Sequence, residues 1–168
     1  MNRCRTALPA CLATGAVFRG MVTHTGVLLD GGYRYEALQD CCIRVLQIDG
    51  YSVVCEVHRT EKQKWVNGLS ARDSQGLPDF LQKYLQSGKG WCVERAAGTF
   101  DPFTKVLLLR GAWPQVGGDS AHVVWSPHFY TLLVSEQGMS GTVFCMDGME
   151  DRESGVGSLW AELASSHG

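Results

Sequence analysis

Tyr33-Arg34-Tyr35-Glu36-Ala37-Leu38-Gln39-Asp40-Cys41-Cys42-Ile43-Arg44-Val45-Leu46-Gln47-Ile48 is the stretch on which the fold assignment turns. Its apolar residues fall at Tyr35, Leu38, Cys41, Cys42, Val45, Leu46 and, less regularly, Ile48. Steps of three and four return to one face of an α-helix, so the spacing predicts an amphipathic helix. Asp49-Gly50 then reads as the turn that ends it. Downstream, residues 51–57 are rich in β-branched side chains and predict a strand. The polar run 58–64 turns the chain, and 65–69 pairs back as a hairpin. Pro78 opens a second helix running to Gln86, with Phe80, Leu81, Tyr84 and Leu85 on its buried side and Gly88 and Gly90 closing it. Residues 91–97 form a third strand and 98–103 a loop. The continuous apolar run 105–109 predicts a central strand covered on both faces. Ser126-Pro127 has the form of a helix cap, residues 142–146 form a last strand, and 158–164 a short terminal helix. This order predicts an α/β (α+β) fold with a central mixed sheet of about five strands and helices on both faces.

The chain has 168 residues, a length that suits one domain. Apolar residues make up 45% and charged residues 19%, a balance that builds a core and excludes a disordered chain. The net charge of −2 offers no basic field, which argues against nucleic-acid binding. No apolar run approaches the ~18–20 residues of a membrane helix. Residues 1–29 contain no Asp or Glu but hold Arg3, Arg5 and Arg19. That composition marks residues 1–20 as an extension, disordered or targeting to an organelle, ahead of a single domain at 21–168. The seven cysteines (Cys4, Cys11, Cys41, Cys42, Cys55, Cys92, Cys145) are odd in number and contain no C-x-x-C pair. They read as reduced structural thiols in a cytoplasmic setting. Cys55, Cys92 and Cys145 sit in apolar runs, where a thiol acts as a small hydrophobe. Trp91, Trp113 and Trp160 read as core residues.

Several local sequences, in order, resemble the actin-depolymerising factor/cofilin domain. They are Thr25-Gly26-Val27; Tyr51-Ser52-Val53-Val54-Cys55-Glu56-Val57; the segment 77–85; Lys105-Val106-Leu107-Leu108-Leu109 followed by Trp113-Pro114; and His122-Val123-Val124-Trp125-Ser126. The similarity spans residues 25–163. It implies an actin-binding protein that promotes filament disassembly, acting as a monomer on the cytoskeleton, with no enzymatic activity and no cofactor. It places Thr25, Gly26, Lys105, Ser120, His122 and Trp125 at the actin surface and makes Thr25 a candidate phosphorylation site. Ser120 and His122 stand where the family carries a basic pair, which implies weakened actin affinity.

A different chemistry is carried by Cys41 or Cys42, His128 and Asp147, which occur in nucleophile, base and orienter order as in a papain-like cysteine hydrolase. Cys41 and Cys42 also fit the apolar face of the predicted helix. A metal cluster of His122, His128 and Cys145 matches no standard ligand spacing, and no metal site is expected.

Overall fold

The computed structural model describes residues 7–28, 33–118, 127–145 and 154–164. Among the described residues nine strands lie in chain order: β1 (Val17–Leu28), β2 (Tyr33–Asp49), β3 (Ser52–Val66), β4 (Gly90–Asp101), β5 (Val106–Gly111), β6 (Gln115–Gly118), β7 (His128–Val134), β8 (Gly138–Cys145) and β9 (Ser154–Leu163). One α-helix, α1 (Asp79–Gln86), and a short 3-10 turn at Ser74–Gly76 join β3 to β4. Every pairing between strands is antiparallel. β3 pairs with β4 and β1 with β9, so eight strands close a barrel, with the short β6 added beside the start of β4. Closure leaves the eight strands without a free edge.

The α/β expectation is therefore corrected: the described residues form an all-antiparallel barrel, and among them there is no mixed sheet and no pair of helix-covered faces. The decisive stretch, residues 33–48, lies wholly in β2. Its buried side chains are Tyr35, Ala37, Gln39, Cys41, Ile43 and Val45, a period of two rather than a helical period. Asp49-Gly50 is not a helix end but part of a tight hairpin, since Asp49 pairs with Ser52 and Gly50 supplies the positive φ of 58° that such a turn favours. The charged run 58–64 continues β3 instead of turning. Residues 158–163 form the end of β9, not a helix. The run 105–109 does hold a strand, β5, but it is covered on one face only: Leu107 and Leu109 are buried while Leu108 is 55% exposed. Trp91, Trp113 and Trp160 are exposed, outside the core. The helix predicted after Pro78 is present as α1, with Leu81 and Leu85 buried and Phe80 exposed. So short a helix is marginal alone; it is held by packing Leu81 and Leu85 with Leu77, Val66 and Tyr35.

The interior has two unlike ends. At one end Phe18, Ile43, Val53, Phe100, Leu107 and Met139 form an apolar core. Residues 7–16 seal it. Cys11 and Leu12 are buried there, Gly15 and Ala16 bond to Val45 through their backbones at 2.8 and 2.9 Å, and Cys11 Sγ donates to Ser135 O at 2.9 Å. The boundary expected at residue 21 thus falls inside β1, with Phe18 fully buried beyond it. At the other end lie α1 and β6. The inward side chains at that end are largely polar: His24, Gln39, Arg59, Glu61, Glu94 and His128 are all buried. Among the described residues, no helix is long and apolar enough to cross a membrane.

Candidate functional site

The polar end arises from the alternation of the strands. β3 presents Val53, Cys55, Val57, Arg59 and Glu61 inward in steps of two, so one face runs from apolar to charged along its length. β4 presents Cys92, Glu94 and Ala96 in the same way. β7 starts with His128 and Tyr130 inward, and β8 ends with Val143 and Cys145 inward. Arg59, Glu94 and His128 are each 1% exposed, so a cation, a carboxylate and an imidazole share a space from which water is largely excluded.

The contacts are specific. Cys145 Sγ lies 2.9 Å from His128 Nε2. On the other side of the ring, His128 Nδ1 lies 3.3 Å from Glu94 Oε1. The second Glu94 oxygen accepts the His128 backbone N–H at 3.3 Å, and Tyr130 donates its hydroxyl proton to Oε1. Arg59 Nη2 is 3.7 Å from Glu94 Oε1 and donates to Cys92 Sγ at 3.3 Å. It also sits 2.8 Å from His128 Nδ1 and 3.0 Å from Nε2. Such nearly equal distances place the guanidinium over the imidazole rather than in line with either lone pair. The Glu94 carboxylate can only accept and the Arg59 guanidinium can only donate, and both lie against Nδ1, so the ring's tautomer decides which of the two it pairs with.

Protonation follows from burial. Desolvation, then the charge of Arg59, pulls His128 down to about 4 against the opposing pull of Glu94. His24 falls to about 4 for the same reasons, with His128 adding to them. Burial alone would raise the Glu94 carboxyl, but His128, Arg59 and Tyr130 together hold it below the usual carboxylate range. Burial pushes Cys41 up to about 12 and Cys92 to about 11. At neutral pH the cluster therefore holds one cation and one anion, Arg59 and Glu94, with neutral imidazoles between.

Two buried polar atoms stand apart from this network. His24 Nδ1 bonds the Tyr35 hydroxyl at 3.2 Å, but its Nε2 has no hydrogen-bond partner among the described residues, and neither has Gln39 Oε1. The Gly155 backbone lies beside Nε2 and favours its protonated form without meeting hydrogen-bond geometry. A Cβ at Gly155 would lie 2.3 Å from Nε2, so glycine there is what admits the His24 ring.

The residues expected at an actin surface are not brought together. Thr25 is half-buried on β1, its hydroxyl 3.3 Å from Val156 O. Gly26 faces the Tyr35 ring. Lys105 is exposed in the β4–β5 turn at the opposite end of the barrel. Ser120, His122 and Trp125 lie outside the described residues. Of the hydrolase residues, Cys41 faces the interior and Cys42 is half-buried on the outer side; Asp147 lies outside the described residues. His128 is central, but the thiol on it is Cys145. Two members of the trio weighed as a metal cluster, His128 and Cys145, are thus adjacent; among the described residues no group of His, Cys, Asp and Glu is arranged to hold a metal ion. Glu94 and Arg59 were missed. The signal for both was the alternation, which extends Val53-Cys55-Val57 to Arg59 and sets Glu94 on the same face as Cys92. No family model, curated protein or solved structure matches this chain.

Proposed function

We propose that the barrel binds a small organic molecule through its α1 end, holding an uncharged, hydrogen-bonding head group among His24, Gln39 and Arg59. The observation that carries this reading is a pair of buried atoms with no hydrogen-bond partner among the described residues, His24 Nε2 and Gln39 Oε1, on neighbouring strands of the polar end. A buried polar group left unsatisfied costs roughly 1–3 kcal/mol, and a ligand hydroxyl or amide would remove that cost. The architecture is suited to the task, since eight-stranded barrels are of a size to fill with side chains or to hold one small ligand. Charge narrows the ligand class. Arg59 and Glu94 already neutralise each other, and both histidines are neutral at pH 7, so neither a free anion nor a free cation is called for. The actin-binding expectation rested on a fold that the barrel replaces, and nothing in this site adds to it.

The test is a titration with p-cresol, benzamide and hexanoate, followed by the NMR signals of the His24 ring and the Gln39 side-chain amide. Saturable shifts with a neutral member of the set are expected, and their loss in a His24→Phe, Gln39→Leu variant of unchanged fold. No saturable shift with any neutral compound, or preference for hexanoate, would refute the reading.

A further inference from the structure

We propose that Cys145, His128 and Glu94 form a nucleophilic relay that transfers the acyl group of a small ester to the Cys145 thiol and then to water. The inference concerns the same end of the barrel as the binding reading and takes the ester as the kind of molecule admitted there. Its ground is geometry. The three side chains come from β8, β7 and β4, with the thiol 2.9 Å from one ring nitrogen of His128 and the carboxylate 3.3 Å from the other. This is the order in which a base takes a proton from a nucleophile while a third group fixes the base's tautomer. The Glu94 carboxylate is itself held by the Tyr130 hydroxyl and the His128 backbone N–H, so the orienting group is fixed by neighbours of its own. Cys145 ends β8 at the α1 end and is 7% exposed, against 1% for His128 and Glu94. Cys145 is therefore the most exposed of the three residues.

The step balances without a further oxidant or reductant. The Cys145 sulfur bonds to the ester carbonyl carbon as its proton passes to His128 Nε2. Glu94 stabilises the positive charge that develops on the ring. The carbon–oxygen bond to the alcohol then breaks, and the proton on Nε2 leaves with the alcohol. A water molecule gives its proton to the same nitrogen and attacks the thioester, and the proton returns to the departing thiol. The groups facing His128 are Arg59 from β3, Glu94 from β4, Tyr130 on its own strand, Cys145 from β8 and His24 from β1. Arg59 opposes the imidazolium and Glu94 supports it. The resting imidazole is thus neutral.

The experiment uses the full chain and 4-nitrophenyl acetate, following 4-nitrophenolate release and locating the acetyl group by peptide mass mapping. Acetylation of Cys145 is expected, slower by about 10²-fold or more in His128→Gln, with a lowered plateau of the pH–rate profile in Glu94→Gln. Cys145→Ser changes a single atom, and its melting temperature shows whether the fold is kept; with the fold kept, it should lose the adduct and retain the p-cresol titration. Acetyl on the half-buried Cys42 instead, an equal rate in His128→Gln, or no adduct on any thiol would overturn the relay. The p-cresol result on Cys145→Ser reads the binding proposal by itself, so the two can fail separately.

Discussion

The two ends of the barrel interior are built from the same strands and the same alternation, yet they do different work. At the end sealed by residues 7–16, Phe18, Ile43, Phe100 and Met139 pack with no charge among them. At the α1 end, Arg59, Glu94, His128 and Tyr130 occupy equivalent inward positions. Apolar burial stabilises by roughly 25 cal/mol per Å². A buried ion pair, by contrast, often adds nothing relative to apolar residues of the same volume. On the proposed reading, stability is concentrated at one end and chemical capacity at the other.

The largest expected effect follows from cutting into the stable end. A chain beginning at Met21 loses Cys11, Leu12 and Phe18 together with the first part of β1, and it should show no cooperative transition by circular dichroism on urea addition. A wild-type transition in that chain would remove the distinction between the ends. Next comes a single truncation there: Phe100→Ala should lower unfolding free energy by about 3–5 kcal/mol in urea titration.

Acid tests the other end. His24 and His128 sit near 4 in the fold and near the ordinary 6.5 when unfolded. The unfolded chain therefore takes up protons first as pH falls. The contribution of both residues is complete above about pH 6.5, is lost progressively down to about pH 4, and changes little below that. Glu94, held low, weakens the fold in the same direction at still lower pH. Stability measured from pH 7 to pH 4 should fall by a few kcal/mol, and His24→Phe should flatten the slope by about one proton. A pH-independent midpoint would contradict the buried, neutral histidines. The smallest effect is local. Lys105 adopts a φ of 63° in the β4–β5 turn, so Lys105→Gly should raise stability by about 1 kcal/mol or less without altering the polar end.

What could be read from the sequence follows the same division. Where the inward face is apolar, the strands declare themselves: residues 51–57, 91–97 and 105–109 all fall within β3, β4 and β5 apart from a residue at each of two edges. Where the inward face is polar, the signal inverts. In β2 the inward Gln39 interrupts the alternation, while Leu38, Cys42 and Leu46 are half-buried on the outer side. Counting apolar residues alone then yields steps of three and four, the signature of a helix. In β3 the inward Arg59 and Glu61 make a strand interior look like a solvated turn. The predicted α/β order took that misread helix as its first element. Of the candidate site, His128 was legible because a histidine beside an apolar run is unusual. Its partners were not, because Cys145 and Glu94 are 17 and 34 residues away: Cys145 is set opposite His128 by the β7–β8 register, and Glu94 lies on β4, one strand beyond β5.

The central claim is that the Arg59–Glu94–Tyr130 group is held for chemistry and not for stability. The direct measurement is urea unfolding of Arg59→Met and Glu94→Leu singly, and of Arg59→Met, Glu94→Leu and Tyr130→Phe combined. Each single change leaves a buried charge uncompensated and should cost about 3–5 kcal/mol. The combined variant removes the charges together and should lie within about 2 kcal/mol of the wild type while losing the p-cresol titration. A combined loss as large as the sum of the single losses would mean that the polar end holds the barrel together and would contradict the account.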